Sequence, residues 1–264
     1  MTNNIITKAK HTLKEHNIEE FLADYYYNYL QEENIYNEKT YNQGINQLIK
    51  GKPIQYIIGN VNFYGNIIKV NKNVLIPRFE TELLIEKTIN YIKKLYPNQN
   101  NLTLADLGTG SGCIAITLKK FFPTIKIDAY ELSPKAISVA LENAKTNNTP
   151  INIIKHDITK PLPAYYDIII SNPPYIANDE TIMDIVKNNE PHMALYAKNN
   201  GLYFYEQILK NMQPKSKYLI AFEIGMHQGK QIKDIAYKYL DNPTISIEQD
   251  YSNKERYIFI YKTE

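Results

Sequence analysis

The sequence predicts an α/β protein: a doubly wound, mostly parallel sheet with an antiparallel edge, preceded by a small helical domain. Three observations carry that expectation. From residue 103 onward, short β-branched apolar runs alternate with longer amphipathic segments, and strands separated by helices pair in parallel through crossovers. The last two apolar runs, 244–249 and 256–261, are joined only by the polar stretch Asp250-Tyr251-Ser252-Asn253-Lys254-Glu255, so they form an antiparallel hairpin. Residues 5–50 instead show the helical repeat of apolar positions.

In the helical segment, Ile5, Ala9 and Leu13 lie on one stripe, and Ile18, Phe21, Leu22, Tyr25 and Tyr29 continue it after a break near His16-Asn17. Residues 34–50 form further short helices, ended by Gly51 and Pro53. The cluster Tyr25, Tyr26, Tyr27 and Tyr29 is either a partner surface or helix packing, and packing is favoured. The expected domains are therefore 1–52 (helical), 53–77 (a β-hairpin connection) and 78–264 (the sheet domain). Within the connection, Gly51-Lys52-Pro53-Ile54-Gln55-Tyr56-Ile57-Ile58-Gly59, Phe63-Tyr64-Gly65 and Ile67-Ile68-Lys69-Val70 read as short extended arms separated by turn residues. A helix follows over 83–95, with Glu80 and Glu82 complementing its dipole. Arg78 either pairs with those carboxylates or serves the site. The sheet domain then offers seven strands, at 103–107, 125–130, 151–155, 166–170, 217–224, 244–249 and 256–261. Helices at 112–121, 133–145, 201–212 and 228–239 connect most of them, and residues 176–200 form a long loop.

Bulk composition narrows the class. The chain has 264 residues, 44% apolar and 22% charged, which suits a globular protein with a sizeable core. A net charge of +2 implies no general affinity for nucleic acid or membranes. The single cysteine, Cys113, makes no intramolecular disulfide, and no metal-ligand spacing occurs. No segment approaches the ~18 apolar residues of a membrane helix, and the N-terminus lacks a signal-peptide core. A cytoplasmic protein is the expectation.

The strand 166–170 stops abruptly at Ser171-Asn172-Pro173-Pro174-Tyr175. Asn172 thus sits at the carboxyl edge of the sheet, where open α/β folds bind ligands. The prolines stiffen the path and keep their carbonyl acceptors, the Asn172 side chain adds another acceptor, and Tyr175 offers a stacking face. Such a pocket suits a planar group bearing an NH₂, an amide or a base amine, although Asn-Pro also marks a simple strand exit.

The first strand of the sheet domain ends in Asp106-Leu107-Gly108-Thr109-Gly110-Ser111-Gly112-Cys113-Ile114. Closely spaced glycines let the backbone approach a ligand at a helix N-terminus. A dinucleotide loop reads G-x-G-x-x-G, whereas this one reads G-x-G-x-G and resembles the first motif of class I S-adenosylmethionine-dependent methyltransferases. That resemblance implies a Rossmann-like, seven-stranded methyltransferase sheet. It also implies S-adenosyl-L-methionine as cofactor and S-adenosyl-L-homocysteine as product. Asp106, Gly108, Thr109, Gly110, Ser111 and Gly112 would form the cofactor loop. Glu131, 25 residues after Asp106, would accept from the ribose hydroxyls, and Asp157 and Ile158 would flank the adenine, with Asn172 closing the site. Taken singly, Glu131 is also a cap for the helix opening at Ser133-Pro134, and Asp157 a turn residue.

An amide or aryl amine nitrogen is a poor nucleophile because its lone pair is delocalised. Acceptors on its N–H groups help it pyramidalise and offset the developing positive charge. Asn172 and the Pro173 carbonyl would provide them, and Tyr175 would hold the planar group, with Pro174 beside it.

Asn-Pro-Pro-Tyr is common to DNA adenine and protein glutamine methyltransferases. The wider motifs are Gly51 to Gly59, Ile76-Pro77-Arg78-Phe79-Glu80-Thr81-Glu82, the glycine loop and Glu190-Pro191-His192-Met193-Ala194-Leu195. To these add Phe222-Glu223-Ile224-Gly225, Gln228-Gly229, Asp250 and Arg256. As a set they resemble the peptide chain release factor glutamine methyltransferase family from about Lys52 onward. The resemblance implies methylation of the glutamine in the Gly-Gly-Gln loop of release factors, with the helical domain docking the factor. A monomer is expected, and the low net charge with no base-reading insertion predicts no direct nucleic-acid contact. Residues 190–195 are either a lid or loop packing. Two rival readings are a DNA or RNA adenine methyltransferase, which would need a base-reading domain and a basic face, and an inactive cofactor-binding module.

Overall fold

The computed structural model describes residues 2–98, 101–212 and 215–263. The chain divides into two compact units, Met1–Asn60 with Ile182–Asn189, and Val61–Thr181 with Glu190–Glu264.

The first unit contains α1 (Thr2–Glu15), α2 (Phe21–Glu32), α3 (Glu38–Ile49) and α4 (Ile54–Ile58), to which the chain later contributes α8 (Asp184–Asn189). The break after α1 falls at His16-Asn17, as the pattern predicts: Asn17 is left-handed at φ 55° and Ile18 N–H donates back to Leu13 O at 2.9 Å. Asn37 caps α3 by accepting from Thr40 N at 2.8 Å. Leu13, Ala23, Tyr26, Leu30, Tyr41 and Leu48 form the core. Gly44 leaves room for Tyr26, whose Cε1 would lie 2.0 Å from an added Cβ. Of the tyrosine cluster, Tyr26 is buried and Tyr27 packs edge-on against Tyr36 and Tyr41, while Tyr25 is 53% exposed. Helix packing therefore accounts for most of it.

Residues 54–58, read as an extended arm, are the helix α4. Pro53 presets its first turn, and Gly59 closes it at φ 89° by donating to Gln55 O at 2.7 Å, so the proline and glycine bracket a helical turn rather than punctuate strands. The hairpin itself is β1 (Asn60–Phe63) and β2 (Asn66–Lys69), joined by Tyr64-Gly65 with φ of 49° and 75°, the pair of positive values that a two-residue hairpin turn requires.

The second unit continues with α5 (Phe79–Leu95), β3 (Thr103–Leu107), α6 (Cys113–Phe121), β4 (Lys126–Glu131), α7 (Pro134–Thr146), β5 (Asn152–Lys155) and β6 (Ile168–Ser171). After β6 come β7 (Ile176–Ala177), β8 (Tyr196–Ala197), α9 (Tyr203–Asn211), β9 (Tyr218–Glu223), α10 (Gly229–Tyr239), β10 (Thr244–Gln249) and β11 (Glu255–Lys262). Helix α5 begins at Phe79, before the expected residue 83, because Thr81 N already donates to Arg78 O at 3.1 Å. The seven-stranded sheet has the order β10-β11-β9-β6-β3-β4-β5, parallel from β9 to β5, with β11 antiparallel to both β9 and β10. Strands β6 and β9 are buried along their whole length, as central parallel strands covered on both faces must be. The long loop expected over 176–200 is partly ordered by a short parallel pairing, Ile176 with Tyr196 and Ala177 with Ala197, and by a 3₁₀ turn at His192–Ala194.

Among the described residues no helix is long and apolar enough to cross a membrane. The core of the second unit runs through Leu107, Ile169, Ile220, Phe222 and Ile258. Replacing Ile170, fully buried in β6, with alanine is expected to cost about 2–5 kcal/mol in urea unfolding. A loss below about 1 kcal/mol would mean that β6 is not the packed centre of the sheet.

Candidate active site

Beside β3, β6 lies on one side and β4 on the other, so the loops leaving β3 and β6 open onto one crevice at the carboxyl edge of the sheet. The parallel register sets Asp106 beside Ile170, and Ser171 Oγ donates to Leu107 O at 2.6 Å. The glycine loop and Asn172 are thereby held side by side.

The glycine loop is braced from below. Gly108 N and Thr109 N both donate to Tyr130 O, at 2.9 Å each. Thr109 Oγ1 donates to Asp106 Oδ2 at 2.6 Å, and Ala115 N reaches the same oxygen at 3.2 Å. Asp106 Oδ1 is buried without a partner among the described residues. Burial pushes this carboxyl up to about 7, against the pull of the Thr109 and Ala115 bonds and with a smaller push from Glu131. Gly112 takes φ 83° at the start of α6, where an added Cβ would stand 3.3 Å from Ile116 Cδ1 and 3.4 Å from Ala140 Cβ. Asn143, fully buried on α7, donates to Ser111 O at 2.9 Å and exchanges bonds with the backbone of Lys69 at 2.7 and 3.0 Å. It ties β2, α7 and the glycine loop together.

Glu131 reconciles its two sequence readings. Its Oε1 accepts from Leu132 N and Ser133 N at 2.8 and 2.9 Å, while Oε2 accepts from Gly110 N at 3.0 Å. It braces the entry to α7, which Ser133 caps, and it also faces the glycine loop. Asp157 is likewise a turn residue, with Oδ1 accepting from Thr159 N and Oγ1 at 2.9 and 2.7 Å. Partial burial opposes its ionisation, but those two bonds prevail and hold the carboxyl below its ordinary range.

A cavity of about 330 Å³ fills the crevice. Of the residues expected at the site, Gly108, Gly110, Ser111, Glu131, Asp157, Ile158, Asn172 and Pro174 line it. Asp106, Thr109, Gly112, Pro173 and Tyr175 do not: the first three support the loop from behind, and Pro173 is buried. The wall also includes Thr81 and Met193, which the sequence placed only within wider motifs, and Leu132, His156 and Phe204, to which it assigned no role. His156 Nε2 is buried without a partner among the described residues, and its ring packs edge-on against Tyr130 at 5.5 Å. Cys113, on the wall at the start of α6, is a buried thiol pushed up to about 12 by that burial, partly countered by a bond to Ser111.

Arg78 pairs with Glu190 rather than with the acidic start of α5. Glu190, 4% exposed, also accepts from Ile76 N at 3.1 Å. Glu82 instead accepts from the hairpin backbone at Tyr64 N, 2.8 Å away. The Arg78–Glu190 pair anchors the segment that brings Pro191, Met193 and Ala194 to the cavity wall, with Glu190 and Leu195 buried and Met193 54% exposed.

Asn172 ends in a polar network. Its Nδ2 donates to Thr81 Oγ1 at 3.0 Å, Thr81 Oγ1 donates to Glu223 Oε2 at 2.7 Å, and Tyr175 OH donates to Glu223 Oε1 at 3.4 Å. The Tyr175 ring packs against the core of the unit. Its backbone is fixed from both sides, since Gln228 Nε2 donates to Tyr175 O at 3.0 Å and an added Cβ on Gly201, at φ 83°, would stand 2.0 Å from that oxygen. Glu223 could be singled out in the sequence as the lone carboxylate ending an otherwise apolar strand, but only the fold shows its partners.

The Asp106 carboxyl has a consequence for stability. Its folded value lies above its ordinary one, so the stabilisation is complete in acid and is lost as pH rises through about 7. Between about pH 5 and pH 8, the melting temperature of the parent is expected to fall more steeply than that of Asp106→Asn. Equal slopes would exclude a neutral Asp106.

Comparison with known proteins identifies the family. Residues 80–194 match the methyltransferase small domain family. A release factor glutamine methyltransferase from Streptococcus pneumoniae is 37% identical over 243 residues, covering 90% of this chain and 85% of the relative. One from Enterococcus faecalis is 39% identical over 215 residues, covering 80% and 76%. Among solved structures, the hMettl16 catalytic domain in complex with MAT2A 3′UTR hairpin 6 gives a TM-score of 0.56 at 17% identity, covering 76% of this chain and 77% of that one. At that identity the likeness extends to the fold alone. These relatives cover 80–90% of the chain at more than a third identity, and this chain belongs to the release factor glutamine methyltransferase family of S-adenosylmethionine-dependent enzymes.

Proposed function

We propose that this chain methylates the side-chain amide nitrogen of the glutamine in the Gly-Gly-Gln loop of peptide chain release factors, leaving S-adenosyl-L-homocysteine. The observation that carries the reading is the orientation of Asn172: its Nδ2 is engaged by Thr81, which leaves Oδ1 as an acceptor at the cavity wall. An acceptor is what a planar N–H group needs as it becomes a nucleophile.

The residues present fit S-adenosylmethionine. Gly108 and Gly110 have no side chain, and an added Cβ at either would meet nothing closer than 3.7 Å, so a ligand can approach the backbone there. Glu131 and Asp157, at the ends of neighbouring strands, provide acceptors for hydroxyl and amine groups, and Ile158 and Leu132 supply apolar wall. The unpartnered His156 Nε2 offers one further polar contact. The bound cofactor would supply an electrophilic methyl group. Asn172 orients the substrate amide and accepts from its N–H groups, whereas Pro173, buried off the cavity wall, holds the backbone that carries Asn172, and the proton leaves to solvent after transfer. The Pro-Pro pair removes two backbone donors that would compete for that acceptor. Tyr175 serves this reading through its hydroxyl on Glu223 and its fixed backbone, which hold Asn-Pro-Pro in place.

In the same reading the helical unit docks the factor, and the enzyme is a cytoplasmic monomer that makes no direct contact with nucleic acid. A net charge of +2 supports the last point.

Purified enzyme with methyl-labelled cofactor is expected to label a release factor, but neither its loop Gln-to-Ala variant nor duplex DNA. Label on DNA, or equal label on the loop variant, would overturn the assignment. Asn172→Ala is expected to lose about 10²–10³-fold in turnover with cofactor affinity retained, and a parental rate would remove Asn172 from the mechanism. Glu131→Ala is expected to weaken cofactor binding by about 1.5–3 kcal/mol in titration calorimetry. An unchanged dissociation constant would refute its role.

A further inference from the structure

We propose that Thr81 and Glu223 are positioning residues that set the polarity of Asn172, locking its amide with the oxygen toward the reacting group. The inference rests on the glutamine-methylation reading and names the two side chains that make its acceptor available.

An asparagine amide has two orientations of nearly equal shape, related by exchange of oxygen and nitrogen. Only one serves here: with Nδ2 toward the substrate, a donor would face the N–H groups of the glutamine amide. Asn172 alone does not choose between them. Thr81 does, because a threonine hydroxyl carries a single proton. That proton is committed to Glu223 Oε2 at 2.7 Å, so toward Asn172 the hydroxyl can only accept, and it accepts Nδ2 at 3.0 Å. The choice thus passes from a carboxylate, which when ionised can only accept, through one hydroxyl to the amide.

The fold delivers these groups from three separate elements. Thr81 lies in the first turn of α5, Asn172 follows the last residue of β6, and Glu223 ends β9. The parallel register pairs Ser171 with Phe222, which sets Asn172 beside Glu223. Thr81 and Glu223 are 3% and 2% exposed. A carboxylate in a strand buried at all six positions is costly without a task, and packing alone would be met better by an apolar residue. The backbone of Glu223 is pinned as well, with Tyr205 OH donating to its carbonyl at 2.8 Å.

Ionisation of Glu223 is then part of the arrangement. Were it protonated, its O–H could donate to Thr81 Oγ1, whose own hydrogen would turn to Asn172 Oδ1 and reverse the amide. The groups facing Glu223 are Thr81 and Glu80 from α5, Tyr175 from the segment after β6, Tyr205 from α9, Arg256 and Tyr257 from β11, and Cys113 from α6. Burial pushes the carboxyl up to about 7, while the Thr81 bond and the Arg256 charge favour the ionised form. Turnover should therefore decline on the acid side as the carboxylate is lost.

Single-turnover methylation of a release factor, cofactor titration and thermal melting of Thr81→Val, Thr81→Ser and Glu223→Gln test this. Thr81→Val, which keeps the shape and removes the hydroxyl, is expected to slow methyl transfer about 10- to 100-fold with cofactor affinity retained. Thr81→Ser is expected to restore most of that rate. Glu223→Gln, whose amide oxygen can still accept from Thr81, is expected to retain substantial turnover at neutral pH and to lose the acid-side decline. Parental turnover in Thr81→Val, a Thr81→Ser variant as slow as Thr81→Val, or an unchanged acid limb in Glu223→Gln would overturn the proposal. If Thr81→Val fails to fold, as melting would show, the Thr81→Ser rate and the Glu223→Gln pH profile decide. Absence of transfer by the parent would instead overturn the glutamine reading itself.

Discussion

The parallel pairing of β3 with β6 is the constraint on which the site depends. Leu104, Ala105 and Asp106 lie against Ile168, Ile169 and Ile170, and both strands end at the same height. From one end leaves the glycine loop, from the other Asn-Pro-Pro-Tyr. A slip of one residue would turn every side chain of β6 to the opposite face, and because β6 is isoleucine on both buried faces it is the bond from Ser171 Oγ to Leu107 O that such a slip would break. Apolar burial packs the two strands, and that directional bond holds the glycine loop and Asn172 at their spacing.

Around that pairing the protein buries several polar groups, most of them answered by a specific partner. Ser171 bonds to Leu107 O, Asn143 bridges β2 to the glycine loop, and Thr109 caps the Asp106 carboxyl. Buried polar groups without partners are expensive, so these contacts hold the loops in one arrangement before any ligand arrives. The carboxyls of Asp106 and Glu223 are both pushed up to about 7 by burial, yet they differ in placement. Asp106 lies behind the glycine loop and braces it, whereas Glu223 is linked through one hydroxyl to Asn172. One supports a backbone and the other orients a side chain.

Most of the framework was legible because it depends on local periodicity. The seven strands, the antiparallel last pair and the break at His16-Asn17 followed from spacing and turn residues. The arm at 54–58 did not, because five residues are too few to show a period and the bracketing Pro53 and Gly59 suit either a turn or a helical end. Arg78 was ambiguous for a related reason: the nearby carboxylates Glu80 and Glu82 were visible, whereas its partner Glu190 lies 112 residues away in sequence.

The sequence by itself determined the order of elements, the glycine loop and the asparagine at a strand end, because each depends on a few adjacent residues and on the backbone freedom that Gly and Pro confer or remove. It could not determine which of these groups touch a ligand and which support those that do. Tyr175 was read as a stacking face, but its ring packs into the core and its hydroxyl meets Glu223. Thr81, Asn172 and Glu223 lie far apart in the chain and meet only because α5 packs against a sheet in which β9 neighbours β6. Hydrogen-bond direction is a property of that meeting: only tertiary structure decided which end of the Asn172 amide faces the cavity, since the proton that decides it belongs to a residue 91 positions away.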